Sequence, residues 1–183
     1  MSDTQWPRYE VFKQDSPNQP HKAVGSVHAP DAEMALLNAR DVFARRPKAV
    51  SMWVAPASTI LSMTAEEMAA NPGWRMVSET GEGEERPFLI FTKTSQRRSM
   101  TFVTHVGVIT AVTAQEALAT AVANAEFDAE NVWVWWVVPE SAITRSDPDD
   151  QASHFAPAAD KTYRQQSSYG FVGPTRKNVK RET

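Results

Sequence analysis

The chain holds 183 residues, 42% hydrophobic and 22% charged, a balance that supports a buried core in one domain or two very small ones. Its net charge of −3 gives no overall attraction to nucleic acid or to an anionic membrane. Cysteine is absent, which excludes disulfides, thiolate metal sites and cysteine nucleophiles.

At the N-terminus no basic stretch leads into an apolar run, and no apolar run nears the ~18 residues of a membrane span. The expectation is a soluble, cytoplasmic protein. Arg8 to Lys13, rich in Tyr, Val and Phe, reads as a strand, followed by a loop with Pro17, Asn18 and Pro20. Ala23 to His28 reads as the returning strand, in which Gly25 signals a bulge or a close backbone approach. A helix is expected from Pro30, with Asp31 and Glu33 at the positive end of its dipole. Ala32, Ala35, Leu36, Ala39 and Phe43 share one face of it, Arg45 and Arg46 fall in its last turn, and Pro47 ends it. A third strand follows from about Val50 to Ala55.

Thr64 to Arg86 contains Pro72, Gly73, Gly81, Gly83 and six glutamates, the composition of a linker with one short helix. Phe88 to Lys93 and Thr101 to Thr110 then form a second hairpin. Thr113 and Glu116 have the spacing of a capping box, ahead of an apolar helix face of Ala114, Ala117, Leu118, Ala121 and Val122. Val132 to Val138 is apolar throughout, as in a strand covered on both faces. After Ile143 the chain turns polar, yet it carries Phe155, Tyr163, Tyr169 and Phe171. That composition suggests an extended arm that docks on its own domain or on a partner.

The two halves repeat one another. Gly25, Ala29, Ala32, Ala35 and Leu36 return as Gly107, Ala111, Ala114, Ala117 and Leu118. Trp53, Val54, Pro56, Ser58 and Ile60 return as Trp136, Val137, Pro139, Ser141 and Ile143, with one extra residue between the two sets. On this alignment Arg45 and Arg46 face Phe127 and Asp128, and His28 faces Thr110. The fold class is therefore α+β: two tandem ββαβ repeats, ferredoxin-like antiparallel sheets with one helix each, forming a pseudo-dimer. The expected boundaries are 6–62 for the first repeat, 63–86 for an acidic linker, 87–145 for the second repeat and 146–183 for the tail.

Chemistry is sparse. His21, His28, His105 and His154 form no His-x-x-x-His pair, and none stands three residues after a glutamate. Gly81-Glu82-Gly83 opens like a dinucleotide loop but lacks the third glycine and is ringed by carboxylates that repel phosphate. Arg97 and Arg98 near Phe102, or the basic C-terminus, could stack on RNA, but the acidic balance of the chain favours a solvated turn and a solubilising tail. Trp53 and Trp136 read as core. Trp133, Trp135 and Trp136 put aromatic rings on both faces of one strand, so the other repeat or a partner must cover it.

The segment Trp6-Pro7-Arg8-Tyr9-Glu10-Val11-Phe12, followed by Val24-Gly25-Ser26-Val27-His28-Ala29, resembles the start of the PaaB family. So do Met34 to Asp41, Arg45-Arg46 and Met52-Trp53-Val54, and Asp160-Lys161-Thr162-Tyr163-Arg164 is similar to the family's Lys-x-Tyr-Arg tail. The resemblance implies a non-catalytic structural subunit of the multicomponent ring-1,2-phenylacetyl-CoA epoxidase, with no cofactor or metal of its own. Its partners would be the catalytic di-iron oxygenase subunit and that subunit's structural partner, with the reductase as a further candidate, and neither nucleic acid nor membrane. Family members typically carry one repeat and pair as dimers, so a fused chain would mimic a dimer. Expected interface residues are Trp6, Tyr9, Arg45, Arg46, Trp135, Tyr163, Arg164 and Tyr169. The competing reading is a free-standing acyl-CoA or RNA binding module on the same duplicated scaffold.

Overall fold

A computed structural model describes residues 6–44, 49–78, 83–95, 103–149 and 151–159. The first repeat begins with β1 (Arg8–Gln14) and β2 (Lys22–His28), which pair antiparallel. Helix α1 (Ala32–Phe43) starts two residues later than expected. Asp31 is its N-cap, with extended backbone and a carboxylate accepting from Met34 N at 2.8 Å, which leaves Pro30 outside the helix. Strand β3 (Ser51–Pro56) returns beside β1.

In the second repeat β5 (Arg86–Lys93), β6 (Thr104–Ala111), α3 (Ala114–Ala123) and β7 (Val134–Pro139) follow the same plan. Thr113 caps α3 by accepting from Glu116 N, while the Glu116 carboxylate reaches back one residue further, to Val112 N. Each repeat adds a fourth strand that the ββαβ reading does not contain, β4 (Leu61–Thr64) and β8 (Thr144–Arg145).

These fourth strands are exchanged. β4 pairs with β7 of the second repeat, and β8 pairs with β3 of the first. The expected sheets are thereby joined into one eight-stranded sheet of order β4-β7-β5-β6-β2-β1-β3-β8, in which the second half mirrors the first. The seam lies between β2 and β6, where Ala23 N donates to Val103 O and His105 N to His21 O, both at 2.9 Å. Each of these bonds is the image of the other under the repeat alignment. A pseudo-twofold axis therefore passes between Lys22 and Thr104, which face each other.

The exchange extends past the strands. The expected short helix of the linker is α2 (Ala65–Ala70), capped by a Thr64–Glu67 capping box, and a 3₁₀ turn follows over Pro72–Ser78. From this stretch Met68 and the buried Trp74 pack into the second repeat's core. Gln151–Ala159, expected as extended chain, is helix α4, whose Phe155 packs against the first repeat's core. The start of the tail thus docks on its own chain.

Alternation along the strands divides the core into layers. Tyr9, Val11, Met52 and Val54 face α1, while Phe88, Ile90, Trp135 and Val137 face α3. Phe12, Leu89, Phe91, Trp136 and Val138 point to the opposite face and meet in a third cluster shared by both repeats. β1 and β5 are three strand spacings apart, about 14 Å in a flat sheet. Yet the Phe12 and Phe91 rings stack at 4.3 Å, and Trp136 lies edge-on to Phe12 at 6.3 Å. The sheet must curl strongly to bring them together. The aromatic strand of the second repeat is covered as expected on both faces, Trp135 by α3 and Trp136 by the first repeat. Trp133 precedes β7 and is exposed.

Gly25 sits beside the register shift of the first hairpin with φ +141°, and a Cβ there would stand 2.8 Å from Phe43. Both readings of Gly25, bulge and close approach, hold. Gly107 rests against Phe127 in the same way. Phe127 is therefore the counterpart of Phe43, and the alignment of Phe127 with Arg45 does not hold. The second repeat has two extra residues before Phe127, where α3 stops at Ala123 and a 3₁₀ turn over Ala125–Phe127 ends on left-handed Asp128 (φ 46°), and one fewer between Phe127 and Trp136.

Candidate functional site

At the seam, one indole is surrounded by groups able to carry positive charge. The His21 ring stacks on Trp53 at 3.4 Å, and its Nε2 is 3.0 Å from Ser51 Oγ. His105 approaches Trp53 edge-on at 5.6 Å and leans on Phe91 at 5.2 Å. The Arg145 guanidinium, brought in by the exchanged β8, lies 5.1 Å over the Trp53 ring and pairs with Glu140 at 2.8 Å. β8 thus inserts an arginine beside the other repeat's tryptophan, and the cation–π contact helps hold the short strand in place.

Burial first, then the fields of His105 and Arg145, push the His21 pKa down to about 3. His105 is lowered too, by burial first, against a Gly107 hydrogen bond that raises it. Both imidazoles are neutral at physiological pH. A histidine with a pKa near 3 is a weak base and holds no imidazolium proton to give up as a general acid at pH 7, so the geometry suits packing better than acid–base work. Among the described residues, no group of three or more His, Asp or Glu is arranged to hold a metal ion.

The cluster occurs at only one of the two equivalent tryptophans. The repeat puts Val103 where His21 stands, Ala23 where His105 stands and Ser62 where Arg145 stands. On the same face Glu10, matched by Leu89, is buried with a salt bridge to the exposed Arg8 at 3.3 Å. Burial raises its pKa, and Arg8 partly offsets the rise.

Of the interface candidates, Trp6 is 60% exposed, and its carbonyl accepts from His28 Nδ1 at 2.7 Å. Tyr9 and Trp135 are corrected: only 7% and 1% exposed, they lie under α1 and α3 in this chain's own core and present no surface. Strand alternation places them on the helix side with Val11 and Val137. Arg45, Arg46, Tyr163, Arg164 and Tyr169 lie outside the described residues, as do Arg97, Arg98, Phe102, Gly81 and Glu82. The sequence reading passed over exposed apolar residues on α1 (Met34, Leu37, Val42) and on β6 (Val106, Val108). The helical spacing held the signal for the first group, since Met34 and Leu37 fall off the face set by Ala35 and Ala39.

Fold and seam define a tandem-duplicated α+β protein, a single-chain counterpart of a twofold dimer. The family model for PaaB, Phenylacetic acid degradation B, matches residues 5–74 and 86–176. The chain belongs to the PaaB family, and the two matched stretches correspond to its two repeats. It is similar to a 1,2-phenylacetyl-CoA epoxidase subunit of Escherichia coli (strain K12), 48% identical over 67 residues that cover 37% of this chain and 70% of that relative. No solved structure matches. No helix among the described residues is long and apolar enough to cross a membrane.

Proposed function

We propose that this chain is a non-catalytic, bridging subunit of a cytoplasmic di-iron phenylacetyl-CoA epoxidase in phenylacetate degradation. One fused chain takes the place of a dimer of single-repeat subunits. The observation that carries the reading is the coincidence of two family matches with two halves related by a pseudo-twofold axis. A relative named as an epoxidase subunit supports the choice of complex. The catalytic di-iron subunit and its structural partner are the partners, with the reductase as a third contact. The work of the chain is contact, made through Trp6, Arg45, Arg46 and Tyr169; aromatic and arginine side chains are the types that dominate interface energetics.

Copurification of the tagged chain with the other epoxidase subunits tests this. The expected result is a stable complex whose turnover of phenylacetyl-CoA falls when the chain is withheld. A chain that neither binds those subunits nor alters turnover sinks the reading. Within the complex, Trp6→Ala is expected to weaken binding by about tenfold or more while leaving the chain folded.

A further inference from the structure

Helices α1 and α3 hold equivalent places but are covered unequally. On α3, the turn after α2 lays Trp74 into the cluster of Ala117, Leu118 and Ala121, leaving Leu118 1% exposed. On α1, its counterpart Leu36 is only half-buried, and Met34 and Leu37 beside it are 42% and 39% exposed.

The chain that could supply the same cover arrives at the right place. α4 docks on α1, with Phe155 in the first repeat's cluster and Arg40 Nη1 donating to His154 O at 3.5 Å, as α2 docks on the second repeat through Met68. The helix is described as far as Ala159, and residues 160–183 follow in the sequence. An aromatic residue followed by arginine, Trp74-Arg75, comes after α2, and the same kind of pair, Tyr163-Arg164, comes after Ala159. The family match to each repeat runs through its aromatic residue, to Trp74 in the first and past Tyr163 in the second. Four residues reach at most about 14 Å, so Tyr163 is confined to the neighbourhood of α1.

We propose that the tail docks in cis, with Tyr163 covering the Leu36–Leu37 face of α1 as Trp74 covers α3. Arg164 then takes the place of Arg75, whose guanidinium lies 5.2 Å over the Trp74 ring. This assigns Tyr163 and Arg164 to the chain's own body and leaves partner contact to the surfaces elsewhere. It stands whether or not the epoxidase reading does.

The native chain has no cysteine, so a Leu37→Cys/Tyr163→Cys variant carries the only two thiols present. A short bis-maleimide is expected to link them within single molecules of the dilute, isolated chain, and to leave an Ala119→Cys/Tyr163→Cys control unlinked. Native-state hydrogen exchange gives the second readout. Tyr163→Ala, and a chain ending at Ala159, are expected to exchange the α1 amides about tenfold faster with α3 unchanged. Equal linking of both cysteine pairs, no linking, or unaltered α1 exchange overturns the proposal. So does cover of α1 that appears only when the partner subunits are added.

Discussion

At Phe12 and Phe91 the two repeats put the same residue in the same place, and the rings stack across the pseudo-twofold axis. Two residues earlier in each strand they part: the first repeat has Glu10 and the second Leu89. On the inner face His21, His105 and Arg145 gather around Trp53, whereas the equivalent Trp136 lies in the apolar cluster of Phe12, Phe91, Val103 and Val138. Duplication supplied one scaffold twice, and the two cores then diverged in polarity without disturbing strand order. A homodimer cannot do this, because both copies carry every substitution.

The largest test of that difference is at the equivalent tryptophans. Trp136→Ala empties a buried apolar site and should cost about 3–5 kcal/mol, while Trp53→Ala, partly exposed and flanked by polar groups, should cost distinctly less. Urea denaturation of the two variants checks the order, and equal losses would remove the distinction. At the paired glycines, Gly25→Ala meets both a positive φ and Phe43 at 2.8 Å, and should cost about 2–3 kcal/mol. Gly107→Ala meets only the movable ring of Phe127 at 3.0 Å and should cost about 1 kcal/mol.

The pH dependence is centred on the Trp53 cluster, where His21 and His105 both have lowered pKa values. The His21 pKa is depressed in the folded state, so the unfolded chain binds the proton more readily. Its contribution to stability is complete above pH 6.5 and is lost as pH falls from 6.5 toward about 3. His21→Val, which copies Val103, should shrink the stability difference between pH 7 and pH 4 by about 3 kcal/mol, read from urea midpoints at the two pH values. The smallest effect has the opposite sign. Glu10 has a raised pKa, so its contribution is present below pH 4.5 and lost as pH rises through the folded value. Glu10→Leu, copying Leu89, should stabilise the chain at pH 7 by about 1 kcal/mol, with the gain fading in acid.

Much of this was legible in the sequence. Gly25 and Gly107, the Trp-Val pairs and the alternating strands announced the repeat and its ββαβ order. The aromatic residues on both faces of the Val132–Val138 strand called for cover from the other repeat or from a partner, and the other repeat supplies it. The exchange was not legible, for physical reasons. Leu61–Thr64 is four residues long with Ser and Thr in it, and Thr144-Arg145 is only two, too short to show a strand period. Trp74 was hidden behind Pro72-Gly73, a pair that ends most local patterns but here only turns the chain onto α3. Tyr9 and Trp135 were misjudged as surface because amphipathic aromatics serve both core and interface, and composition does not distinguish the two.

The exchanged strands also set a timetable for synthesis. Leu61 finds its place only beside Val137, so β4 leaves the ribosome with no strand to join until most of the second repeat has been made. β3 pairs with β1 at once, but its outer edge stays open until Thr144 has been made. Neither half can mature on its own during translation, and the long separations between partners predict slow folding with late closure of both sheet edges.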